Sequence, residues 1–315
     1  MGKVVYAAAM SHVLYPDYYG KNVGPHGRRM VEELIAVVRD MGRDMLAAKP
    51  DALVVIADDH LNVFSFDAIP AMCVRIGRSV QRMVQDDAIE FDRALDGLPE
   101  RYPLHEDLAN RVLEQGMEAG FDFAASWSAP LDHAFLSPVS TLCGPLPVPP
   151  LVPFWVNCFV VPQPTARRCF AAGRHIARVV AEGPWRVAVI ATGGLSHFPG
   201  LSLARVGTSD TAFDRRLVSL MEAGDHDEGV RLRGEHVAPH VADHGDQLLD
   251  HPAPVGPHVL AVVVGIEHVR HRRRVDDLAH HAYLPQYARA AGNTVMQRVG
   301  SVGPSRVSAT AFQTA

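Results

Sequence analysis

The sequence has few cysteines, no excess of positive charge and no long apolar run, and each of these absences excludes a class of site or fold. Only four of its 315 residues are cysteines, without paired spacing, which argues against a disulfide framework or a zinc knot. The net charge is −5, so we expect neither nucleic acid nor an anionic membrane as a partner. No apolar run is long enough to span a bilayer, and no basic region precedes an apolar stretch at the N-terminus. These absences predict a cytoplasmic protein.

The apolar segments are typical of an α/β protein. Ala52–Ala57 and Val187–Ala191 are short and almost wholly apolar, as strands buried on both faces are. Between such segments lie amphipathic helices such as Arg28–Ala47, with apolar residues at three- and four-residue steps. This alternation predicts a mixed, mostly parallel sheet flanked by helices, and the length fits one large domain or two closely joined lobes. The site is expected at the C-terminal ends of the strands.

Periodicity and turn residues set the predicted boundaries. Strands are expected at Lys3–Ala9, Ala52–Ala57, Ile69–Ile76, Phe121–Ala125, Phe154–Val161 and Trp185–Thr192. Helices are expected at Arg28–Ala47, Leu104–Ala119, Ala166–Glu182 and Asp210–Ala223. Pro145–Pro153 and the segment around His133 are expected to be loops. Residues 225–285 have poor periodicity, and ten of the chain's 17 histidines lie between His226 and His281.

Four histidines stand where strands give way to loops. His12, His60 and His197 each follow a predicted strand within a few residues, and His133 lies in a predicted loop. A single histidine of this kind is more often a satisfied core or surface residue, and Asp132–His133 alone would be an Asp-capped turn. Because imidazole binds metals and titrates near neutrality, four such residues in one crevice predict a site that binds metal and moves protons.

His12 and His60 fit two neutral imidazoles directed at one cation from the ends of neighbouring strands. Such a pair needs a carboxylate to complete the facial triad of non-haem ferrous iron. Asp59 is adjacent to His60, but successive strand residues face opposite ways, so a supporting or structural role is expected for it. The Gly-Gly before His197 lets the backbone approach a ligand closely.

Together these segments resemble the class III extradiol ring-cleavage dioxygenases, the LigB-type family. The matching motifs are Ser11–His12, Asp58–Asp59–His60, Asp132–His133 with Pro138, Gly193–Gly194–Leu195–Ser196–His197, and Pro153–Ile176. The resemblance covers roughly the first 220 residues, and the segment Ala290–Thr294 is similar to the family's Asn-Thr segment near the substrate pocket. Within the family the sequence looks most like the protocatechuate 4,5-dioxygenase β subunit and its gallate-cleaving relatives.

The resemblance implies a single catalytic domain that opens a protocatechuate- or gallate-like catechol with O₂ at Fe(II). It makes His12 and His60 iron ligands, and His197 the catalytic acid/base. It makes His133 a catalytic, substrate-contacting histidine, and Asn293 a substrate-binding residue. An oligomer is expected, with a small alpha subunit as a candidate partner.

The third iron ligand is the departure from the family. The family's glutamate lies on a helix four residues before a tryptophan, but Trp185 is the last tryptophan here. Spacing from Phe213 points to Asp246, and spacing from Asn293 points to Glu267, which we put ahead because it is the only glutamate near either position. The histidine- and arginine-rich texture suggests the hypothesis that roughly residues 233–281 are translated out of frame or have diverged.

Two other functions compete with the dioxygenase. A degenerate or partner-dependent family member would lack a complete iron site. A zinc- or iron-dependent hydrolase could use the same crevice, but the sequence offers no oxyanion site and no carboxylates for a second metal.

Overall fold

The computed structural model describes residues 1–12, 14, 16, 21, 24–83, 95, 97–158, 160–193, 211–223, 225, 301–302 and 305–309. Within these, the strands are β1 (Lys3–Met10), β2 (Ala52–Ala57), β3 (Met72–Arg75), β4 (Ser79–Gln81), β5 (Arg101–Pro103), β6 (Ala124–Ser126), β7 (Leu151–Val156), β8 (Arg186–Thr192), β9 (Ser301–Val302) and β10 (Ser305–Ala309). The helices are α1 (Gly24–Ala47), α2 (Glu106–Glu118), α3 (His133–Cys143), α4 (Ala166–Glu182) and α5 (Thr211–Ala223). No helix in the described ranges is long and apolar enough to cross a membrane.

The strands form a mixed, mostly parallel sheet, which confirms the predicted fold class. Eight strands pair in the order β6-β3-β7-β2-β8-β1-β10-β9, and β4 pairs with β5 in a separate ribbon. The central run from β7 to β10 is parallel, whereas β3 is antiparallel to β7 and β9 is antiparallel to β10. Because β1, β2 and β8 are parallel, their C-terminal ends lie at one edge of the sheet, where ligands of such sheets bind.

Both faces of the sheet are covered, which explains why the central strands are apolar throughout. In β2, Ala52, Val54 and Ile56 belong to the core cluster shared with α2, α4 and α5, while the alternate residues belong to the cluster shared with α1 and α3. All six residues of β2 are buried. A strand with helices on both sides cannot alternate apolar with polar residues, because each side chain enters one of the two cores.

Several boundaries differ from the predictions. β7 begins at Leu151 and includes Pro153, where a loop was predicted. The residues of β7 that pair with β3 are Phe154–Val156. Pro153 precedes them, so its missing amide hydrogen does not break that pairing. β9 and β10 were not predicted, and neither was the ribbon of β4 and β5. Short strands of this kind are defined by their partners in the sheet and carry little periodicity of their own.

At Gly42, α1 packs closely against α3. A Cβ added there would overlap the backbone carbonyl of Leu142. We expect Gly42→Ala to lower the free energy of unfolding by about 1–3 kcal/mol, since overpacking outweighs alanine's better helix propensity. Chemical denaturation measures this, with Ala36→Ser on the exposed face of α1 as the control. Unchanged or increased stability in Gly42→Ala would show that the helices do not need this close approach.

Candidate metal centre

Two of the predicted metal-binding histidines lie directly after central strands. His12 follows β1 and His60 follows β2, both at the C-terminal edge of the sheet. The two strands were expected to be neighbours, but β8 lies between them and pairs with both. The two rings nevertheless meet across the end of β8, with their centroids 4.9 Å apart.

His133 completes a cluster of three histidines. Its ring centroid lies 5.5 Å from that of His12 and 4.7 Å from that of His60. One nitrogen from each of the three rings can be chosen so that all lie within 4.8 Å of one another. Among the described residues, this cluster is the group of histidine, cysteine and carboxylate side chains that could hold a metal ion. His12 and His133 are buried and His60 is partly exposed, so the cluster opens on the side of His60.

The segment that carries His133 is helical, so the loop prediction was wrong. His133 is the first residue of α3, and Asp132 caps the helix by accepting a hydrogen bond from the Ala134 amide at 3.0 Å. Pro138 lies inside α3 and cannot donate to the carbonyl of Ala134 four residues earlier. The hydroxyl of Thr192, at the end of β8, donates to that carbonyl at 2.7 Å instead. This bond fixes the start of α3, and with it His133, to the central strand.

Asp132 also connects the cluster to the loop after β2. Its Oδ2 accepts a hydrogen bond from Asn62 Nδ2 at 2.8 Å and lies 3.8 Å from His60 Nδ1 and 3.9 Å from His133 Nδ1. A carboxylate beside the second ring nitrogen of a ligating histidine fixes its tautomer and orientation. Asp132 is therefore placed to orient both imidazoles.

A second buried carboxylate faces the cluster from the end of β2. Asp58 Oδ1 lies 3.9 Å from His12 Nδ1, and Asp58 Oδ2 lies 3.4 Å from His60 Nε2. Asp58 is fully buried. Asp58 and Asp132 belong to the sequence motifs, but no role at the metal was predicted for them. The signal available in the sequence was that Asp132 directly precedes His133 and that Asp58 lies two residues before His60.

Asp59 points away from the cluster, as the alternation along a strand predicts. Its two oxygens accept hydrogen bonds from the amides of Val63 at 3.1 Å and Phe64 at 3.0 Å, which closes the loop after β2. Burial raises the pKa of Asp59 to about 6 despite these bonds. The structural role that was expected for Asp59 agrees with these contacts.

The pKa values of His60 and His133 shift in opposite directions because their surroundings differ. Burial disfavours a charge on His60, but the nearby carboxylates of Asp58 and Asp132 outweigh it and raise the pKa of His60 to about 9. Burial lowers the pKa of His133, an effect that the charge on His60 reinforces. Burial tends to raise the pKa of Asp132, but its contacts with His60 and His133 hold it below its usual value. A metal ion bound by His60 would displace the proton that these carboxylates favour on its ring.

Four of the predicted site residues lie outside the described residues: His197, Asn293, Glu267 and Asp246. Their roles stay predictions. β8 ends at Thr192, and His197 follows it in the chain by five residues.

Comparison with known proteins identifies the family. Residues 6–255 match the family described as the catalytic LigB subunit of aromatic ring-opening dioxygenase. Asp246 falls within this match and Glu267 beyond its end.

Three individual proteins similar to this chain are named as 1,2-dioxygenases. The chain is 30% identical over 239 residues to a 2,3-dihydroxyphenylpropionate/2,3-dihydroxicinnamic acid 1,2-dioxygenase of Photorhabdus laumondii subsp. laumondii, covering 71% of this chain and 68% of the relative. An enzyme of the same name from Mycobacterium sp. (strain MCS) is 31% identical over 237 residues, covering 74% and 69%. A third, from Klebsiella pneumoniae (strain 342), is 30% identical over 170 residues, covering 54% of this chain and only about half, 51%, of the relative.

The names of these relatives differ from one expectation. They are named for 2,3-dihydroxyphenylpropionate, whereas the sequence motifs suggested the protocatechuate and gallate group. The family match spans most of the chain and includes all three clustered histidines. The chain therefore belongs to the LigB family, the catalytic subunits of aromatic ring-opening dioxygenases.

Proposed function

We propose that this protein is an Fe(II)-dependent extradiol dioxygenase that opens the ring of a catechol-type aromatic beside its diol. The observation that supports this best is the cluster of His12, His60 and His133 at the C-terminal edge of the sheet, in a chain of the LigB family. The degenerate or partner-dependent alternative is less favoured, because the relatives are named as ring-cleaving dioxygenases. The hydrolase alternative has no counterpart among the relatives' names.

The cluster fits a first-row transition metal. Imidazole nitrogens suit iron and zinc alike, and a buried carboxylate beside them favours a dication. We propose His12 and His60 as ligands, with Glu267 or its rival Asp246 as the third. When bound, ferrous iron would act as a Lewis acid with open positions for the two catechol oxygens and for O₂.

The proposed work of the protein groups is to orient the ligands and move protons. Asp132 holds the rings of His60 and His133 in position through its contacts with their Nδ1 atoms. His197 is proposed to take a hydroxyl proton from the catechol, since loss of that proton makes the ring electron-rich enough to react with oxygen. His133, whose pKa is lowered by burial, stays neutral and can donate a hydrogen bond to a substrate oxygen. Asn293 is proposed to contact the substrate.

The proposed substrate is a catechol that carries an acidic side chain. The relatives' names favour 2,3-dihydroxyphenylpropionate, and the sequence motifs favour protocatechuate or gallate. We expect anaerobic loading with Fe(II), addition of each catechol and then oxygen to give a yellow ring-fission product with at least one of them. A hydrolase would instead bind zinc tightly and cleave esters or amides. A protein that does not retain iron after gel filtration and gives no product with any catechol would favour the degenerate alternative.

His133 has two possible roles that iron content separates. If it contacts the substrate, as the resemblance implies, His133→Ala should keep iron while kcat/KM falls about 10- to 150-fold, the effect of a lost hydrogen bond to a charged group. Iron measured after gel filtration and steady-state kinetics on the same sample give the two quantities. Loss of iron in this variant would make His133 a metal ligand, a role that its place in the cluster also permits.

The remaining expectations concern location and assembly. We propose a cytoplasmic enzyme with one catalytic domain over residues 1–315, in which residues 225–285 are atypical of the family. An oligomer, with or without a small alpha subunit, is part of the same proposal and is tested by light scattering of the purified chain.

A further inference from the structure

Thr192 ends the central strand β8 with a buried hydroxyl group. Ala188 and Ile190, the alternate residues before it, belong to the core shared with α1 and α3, and Thr192 continues that alternation. Its side chain is fully buried. A hydroxyl in such surroundings is unfavourable unless it is hydrogen-bonded. Thr192 meets this requirement by donating to the Ala134 carbonyl at 2.7 Å.

This bond joins two segments that both carry predicted functional residues. Ala134 directly follows His133 in α3, whereas Thr192 lies five residues before His197. Pro138 has no amide hydrogen to donate to the Ala134 carbonyl, so that carbonyl can accept a bond from outside the helix. The first turn of α3 is therefore tied to the strand from which the chain continues to the predicted general base.

The next residue attaches β8 to β1. The amide of Gly193 donates to the Met10 carbonyl at 2.9 Å, and Met10 pairs with Thr192 in the sheet. Met10 precedes His12 by two residues. Two consecutive residues of β8 thus hold the segment of His12 through the backbone and the segment of His133 through a side chain.

We infer that Thr192 is a positioning residue for the reaction, which holds His133 in the histidine cluster through the Ala134 carbonyl. This inference rests on the proposed function. Asp132 lies beside the His133 ring and orients it, whereas Thr192 fixes the helical turn that carries the ring. Catalysis depends on such placement, since a displacement of about 1 Å can lower a rate by about 100-fold.

The test compares variants that differ in one hydroxyl group. Thr192→Val keeps nearly the same shape and loses the donor, whereas Thr192→Ser keeps the donor. We expect kcat/KM of Thr192→Val for a catechol to fall about 10- to 100-fold, and that of Thr192→Ser to stay much closer to wild type. Thr141→Val is the matched control, because Thr141 also donates to a carbonyl of α3, that of Ser137 at 2.8 Å, but from within the helix. Its kcat/KM should be unchanged.

A double variant shows whether Thr192 acts through His133. The variant that combines Thr192→Val with His133→Ala should have the same kcat/KM as His133→Ala alone, because a positioning residue has no effect once its target is removed. Losses that multiply in the double variant would overturn the inference. So would a normal kcat/KM in Thr192→Val, or a loss in Thr192→Ser as large as that in Thr192→Val.

A second measurement does not depend on activity. In this structure the ring centroid of His133 lies 5.5 Å from that of His12 and 4.7 Å from that of His60. Crystal structures of wild type and Thr192→Val should show the His133 ring displaced in the variant, with His12 and His60 still 4.9 Å apart. An unmoved His133 ring would overturn the inference.

The two failures are distinguishable. If wild type loaded with Fe(II) gives no ring-fission product with any catechol, the proposed function fails, and the crystallographic comparison still decides whether Thr192 positions His133. Thr192→Ala removes the same bond without placing a methyl group against the carbonyl. The same comparisons apply to it if Thr192→Val does not fold.

Discussion

Replacing either His12 or His60 with alanine should abolish iron retention and ring cleavage together. The two residues follow strands on opposite sides of β8, and one nitrogen of each ring lies within 4.8 Å of the other, so each variant removes one of these two nitrogens. A direct ligand should matter more than an orienting residue, so we expect iron affinity to fall by more than about 100-fold. Iron content after gel filtration and oxygen uptake with a catechol check both effects.

The control for this experiment lies at the other end of the sheet. His105 donates its backbone amide to Leu151, the first residue of β7, and its ring caps α2 by accepting a hydrogen bond from the Leu108 amide. His105→Asn keeps a side chain suited to capping, so iron content should be unchanged. Normal iron retention in His12→Ala or His60→Ala would remove that residue from the metal site.

Replacing His197 with phenylalanine should separate catalysis from metal binding. Because His197 is predicted to move a proton without binding metal, iron content should stay near wild type. Turnover should fall by about 10²- to 10⁴-fold, the usual contribution of a positioned general base. Single-turnover kinetics on the iron-loaded variant measure the chemical step.

The contrasting outcomes for His197→Phe are clear. Parallel loss of iron would make His197 a ligand and would leave the acid/base role to another group, with His133 of the histidine cluster as a candidate. A turnover close to wild type would show that the substrate loses its proton without His197. His197→Gln, which keeps a polar side chain but cannot titrate, should behave like the phenylalanine variant if proton transfer is the function.

The central strands and long helices could be predicted because their sequence pattern is local. Ala52–Ala57 and Ala166–Glu182 have the predicted boundaries, since an apolar run and a helical period each report burial directly. α3 was missed because Pro138 argues against a helix in sequence. The bond from Thr192 that satisfies the freed Ala134 carbonyl comes from a residue 58 positions away.

The sequence by itself determined the fold class and the chemistry of the site: apolar strands that need two covering layers, and histidines at their ends. These are properties of residue type and local order, which tertiary contacts do not alter. The tertiary structure decided which side chains converge. Strand order placed β8 between the strands of His12 and His60, and the cap of α3 brought His133 to them. It also decided that Asp58 is buried against two imidazoles while Asp59 closes a loop, because a one-residue step along a strand reverses the direction of the side chain.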